Sequence, residues 1–250
     1  MNVYSPSDFR GVYYAHRGLY DNQGGVPENS LPAFRAAAER GYGVELDVQL
    51  SSDGRVVVFH DDTLDRVCGV HGNVADYPLS GLQRMKLLGT EESMPLFRDV
   101  LSVLKEGAGP LIVELKSGKR NGELCAKTRE LLLEYPGVYC VESFDPGIVR
   151  WFMKNAPEIV RGQLAEPREG YGETVSPLKA RLLAGCRFCA LNRPHFIAYK
   201  VGPRPARILR LRKKGILLIG WTSRDAEKDA KEYDGVIFEA CLPPLRYRAE

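Results

Sequence analysis

The sequence predicts an α/β protein of the (β/α)8 TIM-barrel class, and three observations support that prediction. Its 250 residues match the usual length of one such barrel. Short β-rich runs alternate with amphipathic helical stretches along almost the whole chain, which is the pattern of a parallel sheet covered by helices. No glycine-rich G-x-G-x-x-G loop follows a predicted strand, which disfavours an open doubly wound sheet.

The first quarter of the chain predicts a strand, a helix and a hairpin. The strand covers Val12–Ala15, and the helix covers Ser30–Arg40, where apolar side chains recur at helical spacing and Gly41 can end the helix. The hairpin strands are Val44–Leu50 and Val56–Phe59. The sequence Ser-Ser-Asp-Gly between them is typical of a tight turn.

The alternation continues to the end of the chain after a loop-rich stretch. That stretch, about residues 62–94, is predicted to be a small insertion over the catalytic rim. Further strands are predicted at Leu111–Leu115, Val138–Val141, Val160–Leu164, Cys189–Leu191, Leu217–Gly220 and Gly235–Phe238. Further helices are predicted near 96–106, 121–135, 146–155, 176–184, 204–214 and 225–232. Because we find no repeat and no linker, we expect residues 1–250 to form one domain.

Composition excludes several classes of protein. The 35 basic and 32 acidic residues leave a net charge of +3, and the one dense basic cluster, residues 207–214, is interpreted as a solvated helix end rather than a nucleic-acid site. The longest strongly apolar run, Ile216–Ile219, is too short for a transmembrane segment.

The N-terminus does not resemble a signal peptide, so we predict a cytoplasmic protein. Cys186 and Cys189 form an isolated C-x-x-C pair without further zinc ligands nearby, and we expect reduced thiols.

Polar residues cluster where the predicted strands end. Barrel enzymes carry their active sites at the carboxyl ends of the strands. The residues found there are His16 and Arg17, Glu45 and Asp47, His60 and Asp61, Glu114 and Lys116, and Trp221.

Three of these residues suit a metal ion. Glu45 and Asp47 lie two apart on one strand, so their side chains share a face, and Glu114 comes from another strand. Three carboxylates without a cysteine ligand favour one hard divalent cation, Mg²⁺ or Ca²⁺. The alternative is that Glu45 or Asp47 is a structural ion-pair partner of Lys116 or Arg17.

The two histidines suit proton transfer, and the two cations suit the binding of an anion. Imidazole titrates near neutral pH, so His16 and His60 can take up one proton and give another in a single displacement. Arg17 and Lys116 would make the site complementary to a phosphate group. Trp221 can pack against an apolar or glycerol-like part of a substrate, although a core position is nearly as plausible for one aromatic residue.

The order and spacing of several motifs closely resemble the glycerophosphodiester phosphodiesterase family. The motifs are His16–Gly18, Pro27–Ser30, Glu45–Val48, Val58–Arg66 and Glu114–Lys116. The resemblance implies a barrel of the phospholipase-C-like phosphodiesterase type that hydrolyses glycerophosphodiesters to an alcohol and glycerol 3-phosphate, using Mg²⁺ or Ca²⁺. The partner would be a small phosphodiester, and the sequence predicts no oligomeric state.

The resemblance also implies a role for each site residue. His16 and His60 would be the acid–base pair, and we favour His16 as the base and His60 as the acid. The metal would be held by Glu45, Asp47 and Glu114. The substrate and its phosphate would be bound by Arg17, Lys116, Glu28 and Trp221, with Glu28 or Asp61 orienting a histidine. The nucleophile is water or the 2-hydroxyl of the glycerol.

Two departures from the family pattern concern the substrate. Residues 221–224 read Trp-Thr-Ser-Arg, and Asp234–Ile237 continues into Phe-Glu, where the family commonly has Trp-Thr-Val-Asn and Ile-Thr-Asp. Neither departure affects the predicted acid–base or metal groups. Both departures leave the substrate open, and one alternative is a related barrel phospholipase of the lysophospholipase D or sphingomyelinase D type.

Two further alternatives concern the chemistry itself. They are a glycoside hydrolase that uses paired carboxylates and a non-catalytic phosphate- or metal-binding protein.

Overall fold

The structure, a computed structural model, describes residues 4–172 and 175–247. The strands are β1 Tyr13–His16, β2 Gly43–Leu50, β3 Val56–Val58, β4 Leu111–Leu115, β5 Tyr139–Ser143, β6 Val160–Ala165, β7 Phe196–Lys200, β8 Leu217–Ser223 and β9 Gly235–Phe238. The helices are α1 Leu31–Glu39, α2 Asp65–Cys68, α3 Leu79–Leu82, α4 Phe97–Leu104, α5 Asn121–Glu134, α6 Pro146–Asn155, α7 Pro177–Ala184, α8 Cys189–Asn192, α9 Ala206–Lys213 and α10 Ala226–Asp229.

The strand order confirms the predicted fold class. The hydrogen-bonded order is β1-β9-β8-β7-β6-β5-β4-β2-β3, and β1 also pairs with β2. Eight of these strands thus form a closed circuit with helices between them, which is the (β/α)8 barrel, and β3 is an additional antiparallel strand. The chain divides into two compact units, residues 14–139 and residues 4–13 with 140–247, which are described separately below.

The first unit contains the parallel pairs β1–β2 and β2–β4. The predicted hairpin is confirmed, because Leu50 pairs with Val56 in antiparallel register and Gly54 adopts φ +76° in the turn. Helix α1 begins as predicted, with the Ser30 hydroxyl accepting a hydrogen bond from the Ala33 amide. The consequence for the site is that the carboxyl ends of β1, β2 and β4 lie side by side.

The stretch 62–94 has its own apolar core. It contains α2, α3 and a 3-10 turn over Val74–Asp76. Buried apolar side chains form one cluster there, which includes Leu64, Val67 and Leu82 of this stretch together with Val57 of β3. The stretch is therefore an ordered layer attached to the hairpin. The prediction of one domain with an insertion at this place stays a prediction.

The second unit contains β5 to β9 in parallel register. The helix predicted at 146–155 is found as α6, which begins where the Asp145 carboxylate accepts the Gly147 amide at 2.7 Å. All six cysteines are free thiols. Within the described residues, no helix combines the length and the apolar character that a membrane span requires.

One predicted strand is wrong. Residues 189–191 belong to helix α8, and the strand at this place in the barrel is β7, Phe196–Lys200, which pairs with β6 and β8. A short apolar run such as Cys-Ala-Leu is compatible with one helical turn or with a strand, and periodicity cannot separate the two. The pairing of β7 with its neighbours decides the matter, and that pairing is not visible in the local sequence.

A substitution at Gly162 tests how closely β6 and β7 pack against each other. Gly162 is the register partner of Phe196, and a Cβ added at Gly162 would overlap the Phe196 ring. We expect Gly162→Ala to lower the free energy of unfolding by about 1–3 kcal/mol through overpacking. Urea denaturation measures the change.

Two further variants make this prediction specific. Gly122→Ala is the control, because a Cβ at Gly122 in α5 meets nothing within 4 Å, and alanine favours the helix. Adding Phe196→Leu should relieve part of the clash, so the double variant should be more stable than the sum of the single effects. Equal stability of Gly162→Ala and wild type would contradict the packing.

Candidate active site

Three buried carboxylates meet at the ends of β2 and β4. Glu45 and Asp47 lie on one face of β2, and the parallel register places Asp47 opposite Glu114 of β4. The three residues are 3%, 1% and 7% exposed. Their carboxylate oxygens lie within 4.8 Å of one another. The structure therefore brings together the three residues predicted from the sequence as a possible metal site.

Two cations and one amide neutralise part of this cluster. The Lys116 Nζ lies 2.9 Å from Glu114 Oε1 and 3.4 Å from Asp47 Oδ1. The Arg17 Nε lies 3.6 Å from Asp47 Oδ2, and the Asn29 side-chain amide donates to the same oxygen at 2.9 Å. Most of this compensation is thus directed at Asp47.

The acids respond differently to these neighbours. Burial favours the protonated form of Asp47, but Lys116, His60 and Arg17 outweigh it and hold the pKa of Asp47 below its usual range. Burial raises the pKa of Glu114, and the negative charge of Asp47 raises it further against the opposing effect of Lys116. The cluster would accept additional positive charge, and its all-oxygen donor set fits a hard divalent cation.

His16 and Arg17 lie at the end of β1, beside this cluster. His16 is the register partner of Glu45, and its Nε2 lies 4.0 Å from Glu45 Oε2. Arg17 has φ 54°, and its amide donates to the Glu45 carbonyl at 2.9 Å. The Arg17 Nη1 donates to Glu28 at 2.6 Å. The buried Nε of Arg17 makes no hydrogen bond among the described residues, but it faces Asp47 Oδ2 at 3.6 Å, so this contact is an ion pair.

His60 belongs to a chain of charged side chains. Its Nδ1 lies 2.6 Å from Asp61 Oδ1. The Arg66 guanidinium donates to both Asp61 oxygens at 2.6 and 2.8 Å and to both Glu28 oxygens at 2.8 Å. Since Glu28 also accepts from Arg17, the contacts run from His60 to Arg17 through two carboxylates. An Nδ1–H held by Asp61 leaves the Nε2 of His60 free for proton transfer.

Gln49 holds the segment that carries His60. Gln49 follows Glu45 and Asp47 on the same face of β2, and its Nε2 lies within hydrogen-bond distance of the carbonyl oxygens of residues 59, 60 and 61, at 3.0, 3.4 and 2.8 Å. One face of β2 therefore supplies two candidate metal ligands and the support for a candidate acid–base residue.

Sequence reasoning overlooked three of these residues. Arg66 and Asn29 lie inside the motifs that resemble the family, but the sequence does not show their partners. Gln49 could have been found from the alternation of Glu45 and Asp47 on β2. Its contacts with the chain at 59–61 follow from the hairpin, which brings that segment back beside β2.

Two histidines outside the predicted site, His71 and His195, and the predicted substrate-binding residue Trp221 each contact residues of their own unit. The side chain of His71 is 99% exposed and pairs with Asp65. His195 lies before β7, where its Nδ1 accepts the amide of Arg161 at 3.2 Å, and burial together with Arg161 lowers its pKa to about 4. His195 is therefore a neutral structural histidine at neutral pH. Trp221 lies in the second unit, where its ring packs edge-to-face on Phe144.

The fold and the site define the class of the protein: a (β/α)8 barrel with its buried polar cluster at the carboxyl ends of adjacent strands. The sequence profile of the glycerophosphoryl diester phosphodiesterase family matches residues 16–239. The chain therefore belongs to this family, and the resemblance noted in the sequence is confirmed.

Similar proteins include two bacterial relatives named glycerophosphodiester phosphodiesterase. The relative from Bacillus altitudinis is 34% identical over 157 residues, which are 58% of this chain and 63% of the relative. The relative from Caldanaerobacter subterraneus is 38% identical over 113 residues, which are 42% of this chain and 44% of the relative. The matched stretches thus span less than two thirds of each relative.

Solved structures share the fold over nearly the whole chain. A phosphodiesterase from Oleispira antarctica, solved with the product sn-glycerol-3-phosphate, has a TM-score of 0.76 at 24% identity and covers 94% of this chain and 95% of its own. A glycerophosphodiester phosphodiesterase from Thermotoga maritima has a TM-score of 0.66 at 26% identity and covers 91% and 93%.

The ion pairs of Glu28 predict an acid-dependent loss of stability. Burial favours protonation of Glu28, but hydrogen bonds from Arg66 and the charge of Arg17 outweigh it and lower its pKa from 4.5 to about 2. A carboxyl group whose pKa is lowered in the folded state stabilises the fold above its unfolded pKa, and that stability is lost as pH falls from about 4.5 toward 2. We expect Glu28→Gln to cost about 2 kcal/mol at pH 7 and progressively less below pH 4.5.

Urea denaturation at pH 7, 5 and 3.5 tests this expectation. Glu91→Gln is the matched control, because Glu91 makes an ion pair of similar length, 2.8 Å to Lys86, with a side chain that is 96% exposed. That control should change little at any pH. A difference between Glu28→Gln and wild type that does not shrink on acidification would show that the Glu28 ion pairs contribute no pH-dependent stability.

Proposed function

We propose that the chain hydrolyses glycerophosphodiesters to an alcohol and glycerol 3-phosphate with the help of one divalent cation, Mg²⁺ or Ca²⁺. The observation that supports this proposal most strongly is the convergence of the three buried carboxylates with His16, His60, Arg17 and Lys116 in a member of this family. No single residue of the set is diagnostic, but together they would supply a cation site, a proton donor, a proton acceptor and an anion site.

The residues that would hold the cation are Glu45, Asp47 and Glu114. Their oxygens lie close enough to share one ion, and a bound cation would supply Lewis-acid stabilisation of charge on the phosphoryl oxygens. Lys116 would stay close to Glu114 and Asp47 as a fixed cation, since burial opposes its charged form but the two carboxylates outweigh that effect and raise its pKa above the ordinary value.

Arg17 and Lys116 would bind the phosphodiester. Arg17 is directed by Glu28, which accepts a hydrogen bond from its Nη1 at 2.6 Å. In the transition state, negative charge grows on the non-bridging oxygens, and preorganised cations stabilise that charge more than the ground-state charge. Glu28 would act as a positioning residue that keeps the Arg17 guanidinium in place.

The two histidines would move the protons. His16 would remove the proton of the nucleophile as the new P–O bond forms and the P–O bond to the alcohol breaks. With water as the nucleophile this displacement gives glycerol 3-phosphate directly. Attack by the 2-hydroxyl of the glycerol would give a cyclic phosphate, which a second displacement by water opens to glycerol 3-phosphate. His60 gives its Nε2 proton to the departing oxygen, so the alcohol leaves neutral. Asp61 lies 2.6 Å from the Nδ1 of His60 and would orient the imidazole for this step. Arg66 holds Asp61 in that orientation.

The remaining expectations belong to this proposal. Trp221 would contact the alcohol part of the substrate. Because residues 221–224 differ from the sequence that is common in the family, the preferred alcohol of this chain can differ from that of its relatives. Its Nε1 is buried without a hydrogen-bond partner, and the Lys200 Nζ lies 5.8 Å from the centroid of its ring. A cytoplasmic location stays a prediction from the N-terminal sequence.

The role of His60 is tested by its removal. We expect His60→Ala to lower the turnover of glycerophosphocholine by roughly 10²–10⁴ because a general acid is lost. The control is His71→Ala, which removes an exposed histidine of the same unit and should leave turnover unchanged. Steady-state release of glycerol 3-phosphate measures both.

Two outcomes of this experiment would count against the proposal. Wild-type turnover in His60→Ala would remove His60 from the chemistry. Cleavage of lysophosphatidylcholine by the wild type without cleavage of glycerophosphocholine would replace the proposed substrate by a lysolipid.

The cation site is tested by metal removal. Treatment with EDTA should abolish turnover, and Mg²⁺ or Ca²⁺ should restore it. In the metal-free protein, addition of the productive ion should raise the melting temperature, since a ligand that binds only the folded state stabilises it.

Substitutions link this effect to the carboxylates. Asp47→Asn should remove both the thermal shift and the turnover, whereas Asp99→Asn, on α4 with a side chain that is 47% exposed, should retain both. Full activity in the presence of EDTA would exclude the metal-assisted mechanism.

A further inference from the structure

The second unit contains a cavity of about 640 Å³ that the proposed chemistry does not use. Its walls come from the segments that follow β6 and β7 and from helix α7. Two segments define it best: the 3-10 turn Arg168–Tyr171 after β6 and the start of α9 after β7. The cavity therefore lies near the carboxyl ends of two strands.

The charge of the cavity wall is strongly positive. It contains one acidic residue, Glu169, and five arginines, which are Arg168, Arg181, Arg187, Arg204 and Arg207. Arg204 is held by Glu232 at 2.6 Å. Among the described residues, the other four arginines make no ion pair with an acidic side chain. Unpaired cations that share a concave surface repel one another, and an anion placed among them relieves that repulsion.

Buried polar atoms at the cavity also have no partner. Tyr199 is 0% exposed, lines the cavity, and its hydroxyl makes no hydrogen bond among the described residues. The Nε of Arg207 is buried without a hydrogen-bond partner as well. A buried donor without a partner is costly, and a ligand oxygen in the cavity would satisfy it. Burial, with nearby acidic groups, raises the pKa of Tyr199, so its hydroxyl keeps its proton and can donate.

The cavity lies behind β7, away from Trp221. Tyr199 and Lys200 are consecutive residues of this strand, so their side chains point to opposite faces. Lys200 pairs with Glu166 at 3.3 Å and lies over the Trp221 ring. Tyr199 points to the other face. Trp221 is the predicted substrate-binding residue of this unit. Because Tyr199 lines the cavity and Lys200 lies over Trp221, the cavity and Trp221 lie on opposite faces of β7.

We propose that this cavity is a second ligand site, which binds a small organic phosphate carrying at least two negative charges. Four arginines that make no ion pair within the described part of the chain suit a multiply charged phosphate better than a monoanion, because bidentate guanidinium–phosphate contacts are charge-assisted. The buried Tyr199 hydroxyl favours a small molecule over a membrane surface, since only a small group can reach it. Prolines and Leu182 on the same wall would pack against the organic part.

Calorimetric titration with inorganic pyrophosphate, without added divalent cation, tests the site. Arg207→Gln and Tyr199→Phe should each weaken the binding by about tenfold or more, because each removes a donor to a charged oxygen. Arg210→Gln is the matched control: it removes the same charge from the same helix at an exposed position outside the cavity and should have little effect. Circular dichroism and melting curves establish that each variant folds.

Three results would overturn the proposal. Equal weakening by Arg207→Gln and Arg210→Gln would mean that only net charge matters. Pyrophosphate binding that neither Arg207→Gln nor Tyr199→Phe weakens would place the anion elsewhere, such as at Arg17 and Lys116. Sedimentation with phosphatidylglycerol vesicles that depends on Arg207, without pyrophosphate binding, would identify a lipid surface instead. Because none of these variants changes a residue of the proposed catalytic or metal-binding set, failure here leaves the proposed hydrolysis unaffected.

Discussion

Burial of three neighbouring carboxyl groups is the constraint on which the candidate active site depends. Glu45, Asp47 and Glu114 lie at the ends of two paired strands, away from water, where like charges repel strongly and burial opposes ionisation of a carboxyl group. Asp47 lies near both Lys116 and Arg17, whereas Glu114 lies near Lys116. The positions of these two cations are in turn determined by the strands, since each follows directly from β4 or β1. The parallel register of the strands thus determines which charged side chains of the site become neighbours.

A second network connects the two halves of the proposed chemistry. The Arg66 guanidinium bridges Asp61 and Glu28, so the carboxylate beside His60 and the carboxylate beside Arg17 share one cation. Such a network is costly to bury and rigid once fully satisfied. It ties the orientation of a proton donor to the orientation of a phosphate-binding group. Gln49 adds a support for the same segment from β2, whose inner face therefore organises both networks.

Local patterns predicted the elements well wherever periodicity and end signals were clear. Helices α5 and α6 lie almost where the sequence predicts them, and the hairpin between β2 and β3 follows from its turn residues. The missed strand β7 and the one-turn helix α8 show the limit of this reasoning. Both are short apolar runs, and only pairing with β6 and β8 distinguishes the strand.

The strand-end residues were visible in the chain because alternation along β2 and motif order are local properties. Their assembly was not, because it depends on which strands become neighbours: Asp47 meets Glu114, and Arg66 meets Glu28 across 38 positions of sequence. The protonation behaviour of the acids also required the fold, since burial and charge distances set it. The arginine-lined cavity behind β7 is the clearest case. Its basic residues are scattered from 168 to 207, and only the turn after β6, helix α7 and the start of α9 bring them onto one wall.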